Sequence, residues 1–365
     1  MGDNFSECAA NVVDTVQLLD NLNFVPHPKK SVFIPTQILV YLGFVLNSLT
    51  MTVSLTPEKA KKLKGAVTRL LSCNRPLIRE VAQVIGLIIS TFPGAMYGPL
   101  YFRTTEGEKA EAIKLNRGNF DAPMELSTNA QLELQWWINN VETAHNTIYR
   151  PEPHITMSTD ASKKGWGCAI DRVKTGGLWT LEESKHHINY LELLAVYFGL
   201  KSHKSLVSHK HVKVLVDNTT VQVTLNKMGT SHSPVLNSLI QATWDWCIMN
   251  EVWLTVARVP GNENIDADNE SRKLRRTTEW CLNKQVFQSA CDKFNNKPNI
   301  DLFASRINYQ VKPYMSYSPD PEAFAVNAFH HSWLGYNFYA FPPFCLISKV
   351  LQKIRKEESE GLVIL

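Results

Sequence analysis

The chain predicts an α/β protein: a mixed five-stranded sheet with flanking helices, preceded by a mainly helical region. Two observations carry this. Beyond residue 153, short strands with alternating or continuous apolar character give way to a strand–helix alternation. Between residues 56 and 141, apolar residues instead recur at helical spacing. A third observation concerns chemistry: four carboxylates (Asp160, Glu192, Asp217 and Asp268) fall at defined places in the second pattern.

From the start, Val12, Val13, Val16, Leu19 and Leu22 mark an amphipathic helix ending near Asn23. Ser31–Ile34, Ile38–Phe44 and Thr50–Leu55 are rich in β-formers and are expected as strands. Thr56-Pro57 is a helix start, with a hydroxyl at the cap and proline at the first helical position. Leu63, Val67, Leu70 and Leu71 line one face of that helix. Lys59, Lys61, Lys62, Lys64 and Arg69 crowd the other, which is read as a solvated surface rather than a phosphate-binding one. Helices are expected over Arg79–Phe92, broken by Pro93-Gly94, and over Asn129–Val141. Arg150-Pro151-Glu152-Pro153 reads as a linker.

Past the linker, His154–Thr159 and Trp166–Ile170 form a hairpin around Lys163-Lys164-Gly165, and Gly176–Thr180 adds a third strand. Asn189–Leu200 is helical, and Val212–Val216, apolar apart from Lys213, is suited to a buried central strand. Helices over Thr219–Asn226 and Val235–Met249 lead to a fifth strand, Val252–Val259, and a last helix from Asn264.

At 365 residues the chain is long enough for two or three domains, and 44% hydrophobic with 20% charged residues is a globular composition. A net charge of +4 permits a polyanionic partner without demanding one. Seven cysteines stand singly with no C-x-x-C pair, so reduced, mostly buried thiols in an intracellular compartment are expected. There is neither a signal-peptide pattern nor an apolar run of membrane-spanning length, and no membrane partner is expected.

Like charges raise each other's pKa, so converging carboxylates call for a compensating cation. Carboxylate oxygens suit Mg²⁺, and two such ions can clamp the attacking and leaving oxygens of a phosphoryl displacement. Any one of the acids alone reads as a cap, turn or surface charge; their ordered joint occurrence is what points to a site. Asp266 competes with Asp268 for the last place, and the spacing to Asn264 and Ser271-Arg272 favours Asp268.

The motifs Thr159-Asp160-Ala161-Ser162, Tyr190-Leu191-Glu192-Leu193-Leu194-Ala195, Val216-Asp217-Asn218 and Val259-Pro260-Gly261 leading to Ala267-Asp268 and Ser271-Arg272 make the region from about Pro153 to Cys281 resemble a retrotransposon ribonuclease H domain. The resemblance is nearest to the polyproteins of DIRS-type elements. It implies a ribonuclease H-like fold over residues 151–283, with Asp160, Glu192, Asp217 and Asp268 as catalytic acids and metal ligands. It further implies two Mg²⁺ ions, with Mn²⁺ able to substitute, and endonucleolytic hydrolysis of RNA in an RNA–DNA hybrid. The alternative is an inactive nucleic-acid-binding remnant. Other retroelement proteins are implied partners. Ser162, Asn218, Thr219, Arg258 and Arg272 are candidate hybrid contacts, with local turn bonding open for Ser162, Asn218 and Thr219. Lys273, Arg275 and Arg276 extend the basic run after Arg272, and a solvated helix face is the simpler reading.

Two positions depart from the family pattern. Arg258 stands where His-x-Pro-Gly often begins, and Glu270 replaces an apolar residue and is expected to reach solvent. Upstream, Phe24–Ser31 and Tyr41-Leu42-Gly43-Phe44 resemble the end of a reverse transcriptase palm (residues 1–55), and the following helices its thumb and connection (56–150). Polymerase activity is not expected, because the chain carries no Tyr-x-Asp-Asp motif. Residues 284–365, with Ile300-Asp301-Leu302-Phe303 and Ala340-Phe341-Pro342-Pro343-Phe344, resemble an incomplete adenine methyltransferase domain. Phe341 occupies the place of that family's hydrogen-bond acceptor, so methyl transfer is not expected. Strands near Ile300–Phe303 and Phe338–Ala340 and a helix over Leu346–Arg355 are expected there, packed on the nuclease region or loosely ordered.

Overall fold

The computed structural model describes residues 2–272 and 280–365, in two compact units that divide at Arg150/Pro151. In the first unit, helix α1 (Phe5–Asn21) starts at Asn4, whose side chain accepts from the Glu7 amide, and it buries none of its residues. Strands β1 (Ile38–Tyr41), β2 (Phe44–Asn47) and β3 (Thr52–Leu55) form an antiparallel sheet with the later β4 (His145–Thr147). Two expectations need correction here. Ser31–Ile34 forms no strand, and Ile38–Phe44 is two strands, because the chain reverses at Leu42-Gly43. Both residues of that turn have positive φ, +50° and +79°, the geometry of the tightest hairpins.

Helix α2 (Pro57–Leu71) begins as expected, with the Thr56 hydroxyl accepting from the Lys59 amide. Its buried face is Ala60, Leu63, Val67 and Leu70, a 3.6-residue repeat that packs against α3 (Ile78–Ile89) and α5 (Thr128–Asn140). Helix α4 (Arg103–Leu115) was not foreseen. The residue at its cap, Phe102, offers no acceptor; instead the buried Glu133 carboxylate on α5 accepts from the Thr104 and Thr105 amides at 2.9 and 3.0 Å. The cap is tertiary, so no local signal announces this helix. Trp137 is fully buried in this core, and Trp136 stacks on Tyr101 at 4.2 Å.

The second unit opens with β5 (Ile155–Ala161), β6 (Gly165–Ile170) and β7 (Val173–Leu178), followed by α6 (Ile188–Ser202) and the short α7 (Lys204–Val207). Strand β8 (His211–Val216), helices α8 (Thr219–Asn226) and α9 (Pro234–Met249), strand β9 (Trp253–Arg258) and α10 (Ile265–Arg272) complete the region. The sheet order is β7-β6-β5-β8-β9; β6 runs antiparallel to both of its neighbours, β5 and β7, and β5, β8 and β9 run parallel. This is the expected mixed five-stranded sheet with helices on both faces.

Strand alternation decides which face each helix covers. On β6, Trp166 and Cys168 point to α6, where Trp166 meets Phe198 edge-on at 5.5 Å and Cys168 abuts Gly199. The other face of the β6–β7 hairpin is floored by Gly165, Gly167 and Gly176, and α10 lies directly on it. A Cβ at Gly167 would sit 2.3 Å from the Ala267 carbonyl oxygen. Glycine there is required by close approach rather than by turn geometry. The same contact buries Glu270 to 4% exposure, against the expectation that it reaches solvent, because its position on α10 faces the glycine floor.

The tail is ordered. Helix α11 (Lys284–Phe294), strands β10 (Ile300–Asp301), β11 (Met315–Ser316), β12 (Ala325–Val326) and β13 (Phe338–Ala340), helix α12 (Ile347–Glu357) and β14 (Gly361–Val363) follow in turn. Strands β10, β13 and β14 form a parallel sheet with β13 central. Trp333, Phe338 and Val350 are fully buried in its core, whereas Leu351 on α12 and Phe344 before it remain exposed. All seven cysteines are free; Cys168, Cys247 and Cys291 are buried but Cys73, Cys281 and Cys345 are exposed, so they are not mostly buried. Among the described residues, no helix is long and apolar enough to cross a membrane.

Candidate active site

Register brings the first and third acids together. Strands β5 and β8 pair in parallel with Ser158 opposite Leu215, so Asp160 and Asp217, two residues further on, lie level at the same end of the sheet. Helix α6 crosses β5, and its Glu192 is 4% exposed among the apolar residues that pin the helix. Carboxylate oxygens of Asp160, Glu192 and Asp217 all lie within 4.8 Å of one another.

The cluster is electrostatically unsatisfied. Burial, then the charges of Asp160 and Asp217, push Glu192 up to about 9, opposed by a hydrogen bond from the Ala161 amide. Its Oε2 is buried without any hydrogen-bond partner. Asp160 is also raised, chiefly by burial and further by Asp217 and Asp268, although the Ser271 hydroxyl donates to its Oδ2 at 2.6 Å. An orphaned carboxylate oxygen beside two more acids, all hard oxygen donors, fits a divalent cation of the Mg²⁺ class. The triad is therefore positioned to bind a metal.

Asp268, the fourth predicted acid, stands outside that triad. It lies on α10 close enough to raise the Asp160 pKa, and its Oδ1 accepts from Arg272 Nε at 2.6 Å. The rival Asp266 is exposed and paired with Lys174, also at 2.6 Å.

The candidate nucleic-acid contacts divide. The Ser162 hydroxyl turns inward, donating to the Gly165 and Ser271 carbonyls and accepting from the Lys164 and Gly165 amides, so it ties the β5–β6 turn to α10. Asn218 caps α8 by accepting from the Val221 amide and donates to Asn189 on α6. For these two, local bonding describes what is seen. Thr219, Arg258 and Arg272 are exposed. Arg258 Nε donates to the Asp217 backbone carbonyl at 3.2 Å, which ties the end of β9 to the third acid. Lys273, Arg275 and Arg276 lie outside the described residues.

Sequence reasoning used Asn264 and Ser271 only as spacing markers. Both position the site: Asn264 Nδ2 donates to the Thr159 carbonyl at 2.8 Å, and Ser271 holds Asp160. Their spacing of seven residues, two helical turns, was the available signal, since it sets both on the sheet-facing side of α10.

No protein-family model matches the chain, and no curated protein matches it. Among solved structures it is similar to the foamy viral protease-reverse transcriptase in complex with RNA/DNA hybrid, with 13% identity over 70% of this chain and 34% of that one and a TM-score of 0.35. A second structure of that viral protein, with double-stranded DNA, gives 14% identity over 70% and 44% at a TM-score of 0.34. RNase H1 from Halobacterium salinarum NRC-1 gives 16% identity over 32% of this chain and 96% of that one, at a TM-score of 0.28. The chain thus spans less than half the length of these two viral structures. Scores of this size leave the functional weight on the site itself.

Proposed function

We propose that the chain is a ribonuclease H-type enzyme that cleaves, endonucleolytically, the RNA strand of RNA–DNA hybrids, as part of a retrotransposon reverse transcriptase. The observation that carries this reading is the triad: three carboxylates within 4.8 Å at one end of a mixed sheet, with one buried oxygen lacking any partner. Asp160, Glu192, Asp217 and Asp268 would hold the metal, taken as two Mg²⁺ ions with Mn²⁺ able to substitute. When bound, it supplies a Lewis acid that activates water and offsets charge on the departing 3′ oxygen.

The chain's own groups set the geometry. Burial makes Glu192 costly to ionise alone, so it is poised to lose its proton only against a cation. The Ser271 hydroxyl fixes the orientation of Asp160 from α10, leaving its other oxygen to the triad. Asp268 would have to leave Arg272 to join them, an exchange that would cost little because the arginine is 72% exposed. Arg258, Arg272 and Thr219 face solvent near the acids and would meet phosphates and 2′-hydroxyls, which makes recognition largely independent of sequence.

The same reading takes residues 1–55 and 56–150 as reverse transcriptase palm and thumb/connection, and the tail as a methyltransferase-like segment. With Phe341 packed beside Cys291, Tyr339 and Leu362, the tail has no acceptor at that position. Purified protein with labelled hybrid, with and without Mg²⁺ and beside single-stranded RNA and duplex DNA, tests the function. Metal-dependent cleavage confined to the RNA of the hybrid is expected. Binding without cleavage under all metal conditions would replace the enzyme with a nucleic-acid-binding remnant.

A further inference from the structure

The tail contributes one side chain to the nuclease region whose environment is unlike that of an ordinary surface arginine. Arg306 follows β10 by five residues and its side chain is 8% exposed. Its Nη1 and Nη2 donate to the two Glu183 carboxylate oxygens at 2.7 and 2.9 Å, and Nη2 also donates to the Leu178 carbonyl at the end of β7. The guanidinium lies 4.6 Å above the Phe198 ring of α6. The backbone amide of Arg306 is itself held, donating to Asp320, which also accepts from the Tyr314 hydroxyl at 2.6 Å. A forked, buried, stacked arginine of this kind is a fixed strut, since lysine can reproduce neither the fork nor the stacking.

Where the strut lands matters. Glu183 lies in the short 3-10 turn Glu183–Lys185 that links β7 to α6; its carboxylate accepts from the Thr180 amide at 2.8 Å and its amide donates to the Thr180 hydroxyl, which holds the entry to that turn. Four residues later His187 begins α6, and Glu192 follows on its second turn. Phe198 is two turns further along the same helix. Arg306 therefore grips α6 at its approach and at its middle, on either side of Glu192. A second contact, from the Thr175 hydroxyl of β7 to the Pro319 carbonyl, ties the tail to the same edge of the sheet.

We infer that Arg306 is a positioning residue for Glu192: the tail braces α6 through the Arg306–Glu183 pair and so sets the third corner of the acid cluster. The inference rests on the proposed nuclease reading for its activity readout, and on geometry alone for its other readouts. It turns the tail from an appendage into part of the catalytic scaffold.

The experiment uses the full chain carrying Arg306→Lys, Arg306→Ala, Glu183→Gln and the exchanged pair Arg306→Glu/Glu183→Arg. Amide exchange across residues 179–192 and the Mg²⁺-induced thermal shift are read beside single-turnover cleavage. Arg306→Ala is expected to lose protection in that segment and to raise the Mg²⁺ concentration for half-maximal effect. Its cleavage should fall roughly ten- to hundredfold with hybrid affinity unchanged, as small misplacements of a catalytic group do. Arg306→Lys should be nearly as impaired, and Glu183→Gln intermediate. If the exchanged pair recovers part of the loss, the contact itself is responsible. Folded Arg306→Ala with unchanged exchange in 179–192 and unchanged Mg²⁺ response overturns the brace. If the unmutated chain cleaves no hybrid, the nuclease reading fails by itself, and exchange and Mg²⁺ response still decide the brace.

Discussion

Replacing Glu192 by glutamine should stabilise the metal-free protein, contrary to what removal of a buried polar contact usually does. The folded-state pKa of this carboxyl is about 9 against an ordinary 4.5, so between those limits the native state binds the extra proton. Stability is therefore lost as pH rises through that window. At pH 7 the gap from 4.5 is 2.5 units, which at about 1.36 kcal/mol each is a cost of roughly 3 kcal/mol. Glutamine keeps the shape and removes the ionisation. For a unit the size of Pro151–Leu365 that is worth roughly 6–12 °C in Tm at neutral pH. The difference should shrink as pH falls towards 4.5 and vanish well below it, where the carboxyl is protonated in both states. Mg²⁺ should reverse the order, raising the Tm of the unmutated protein strongly and that of Glu192→Gln weakly. Scanning calorimetry from pH 4.5 to 8.5 with EDTA or with Mg²⁺ gives the comparison. A metal-free Glu192→Gln protein less stable than the unmutated one at pH 8 would refute the reasoning, since burial of an uncompensated charge could not then be what the cluster resists.

Asp160→Asn should fold normally and lose cleavage by about a thousandfold or more, the loss of several kcal/mol of metal-linked stabilisation; near-normal single-turnover rates would remove it from the site. Arg258→His should leave metal dependence unchanged and raise turnover, because imidazole exchanges protons near neutral pH, whereas a slower rate would assign Arg258 a positive role on phosphate or through the Asp217 carbonyl. Gly167→Ala forces a Cβ to within 2.3 Å of the Ala267 carbonyl oxygen and should displace α10, costing about 1–3 kcal/mol by denaturant melts and lowering cleavage; unchanged stability would mean α10 does not rest on the hairpin as described.

Much of the nuclease region was legible because its signals are local. Val212–Val216, apolar apart from Lys213, reads as a strand and buries Val212, Val214 and Val216, and the glycines of β6 and β7 leave one face of the hairpin bare. Asp160 and Asp217 end neighbouring strands, so once β5 and β8 pair in parallel their approach follows from register. The acids themselves, and the divalent-metal chemistry they suit, were readable as an ordered set of residues. Elements whose determinants lie far away in sequence were not readable. Helix α4 is capped by Glu133 from another helix, and β4 joins a sheet whose other strands lie some ninety residues upstream. The reversal at Leu42-Gly43 was hidden because leucine rarely takes the positive φ that it adopts there.

The sequence by itself determined which residue types meet in the site and the order of the elements that carry them, since periodicity, caps and strand composition act over a few residues. Only the tertiary structure decided their state. It buried Glu270 against a glycine floor, paired Asp268 with Arg272 outside the triad, and turned Ser162 inward. It left Glu192 with an unpartnered oxygen and clamped Arg306 of the tail onto the approach to α6. Burial and charge proximity are properties of the folded packing, most of it between segments distant in sequence, and they set pKa, metal fit and ion pairing.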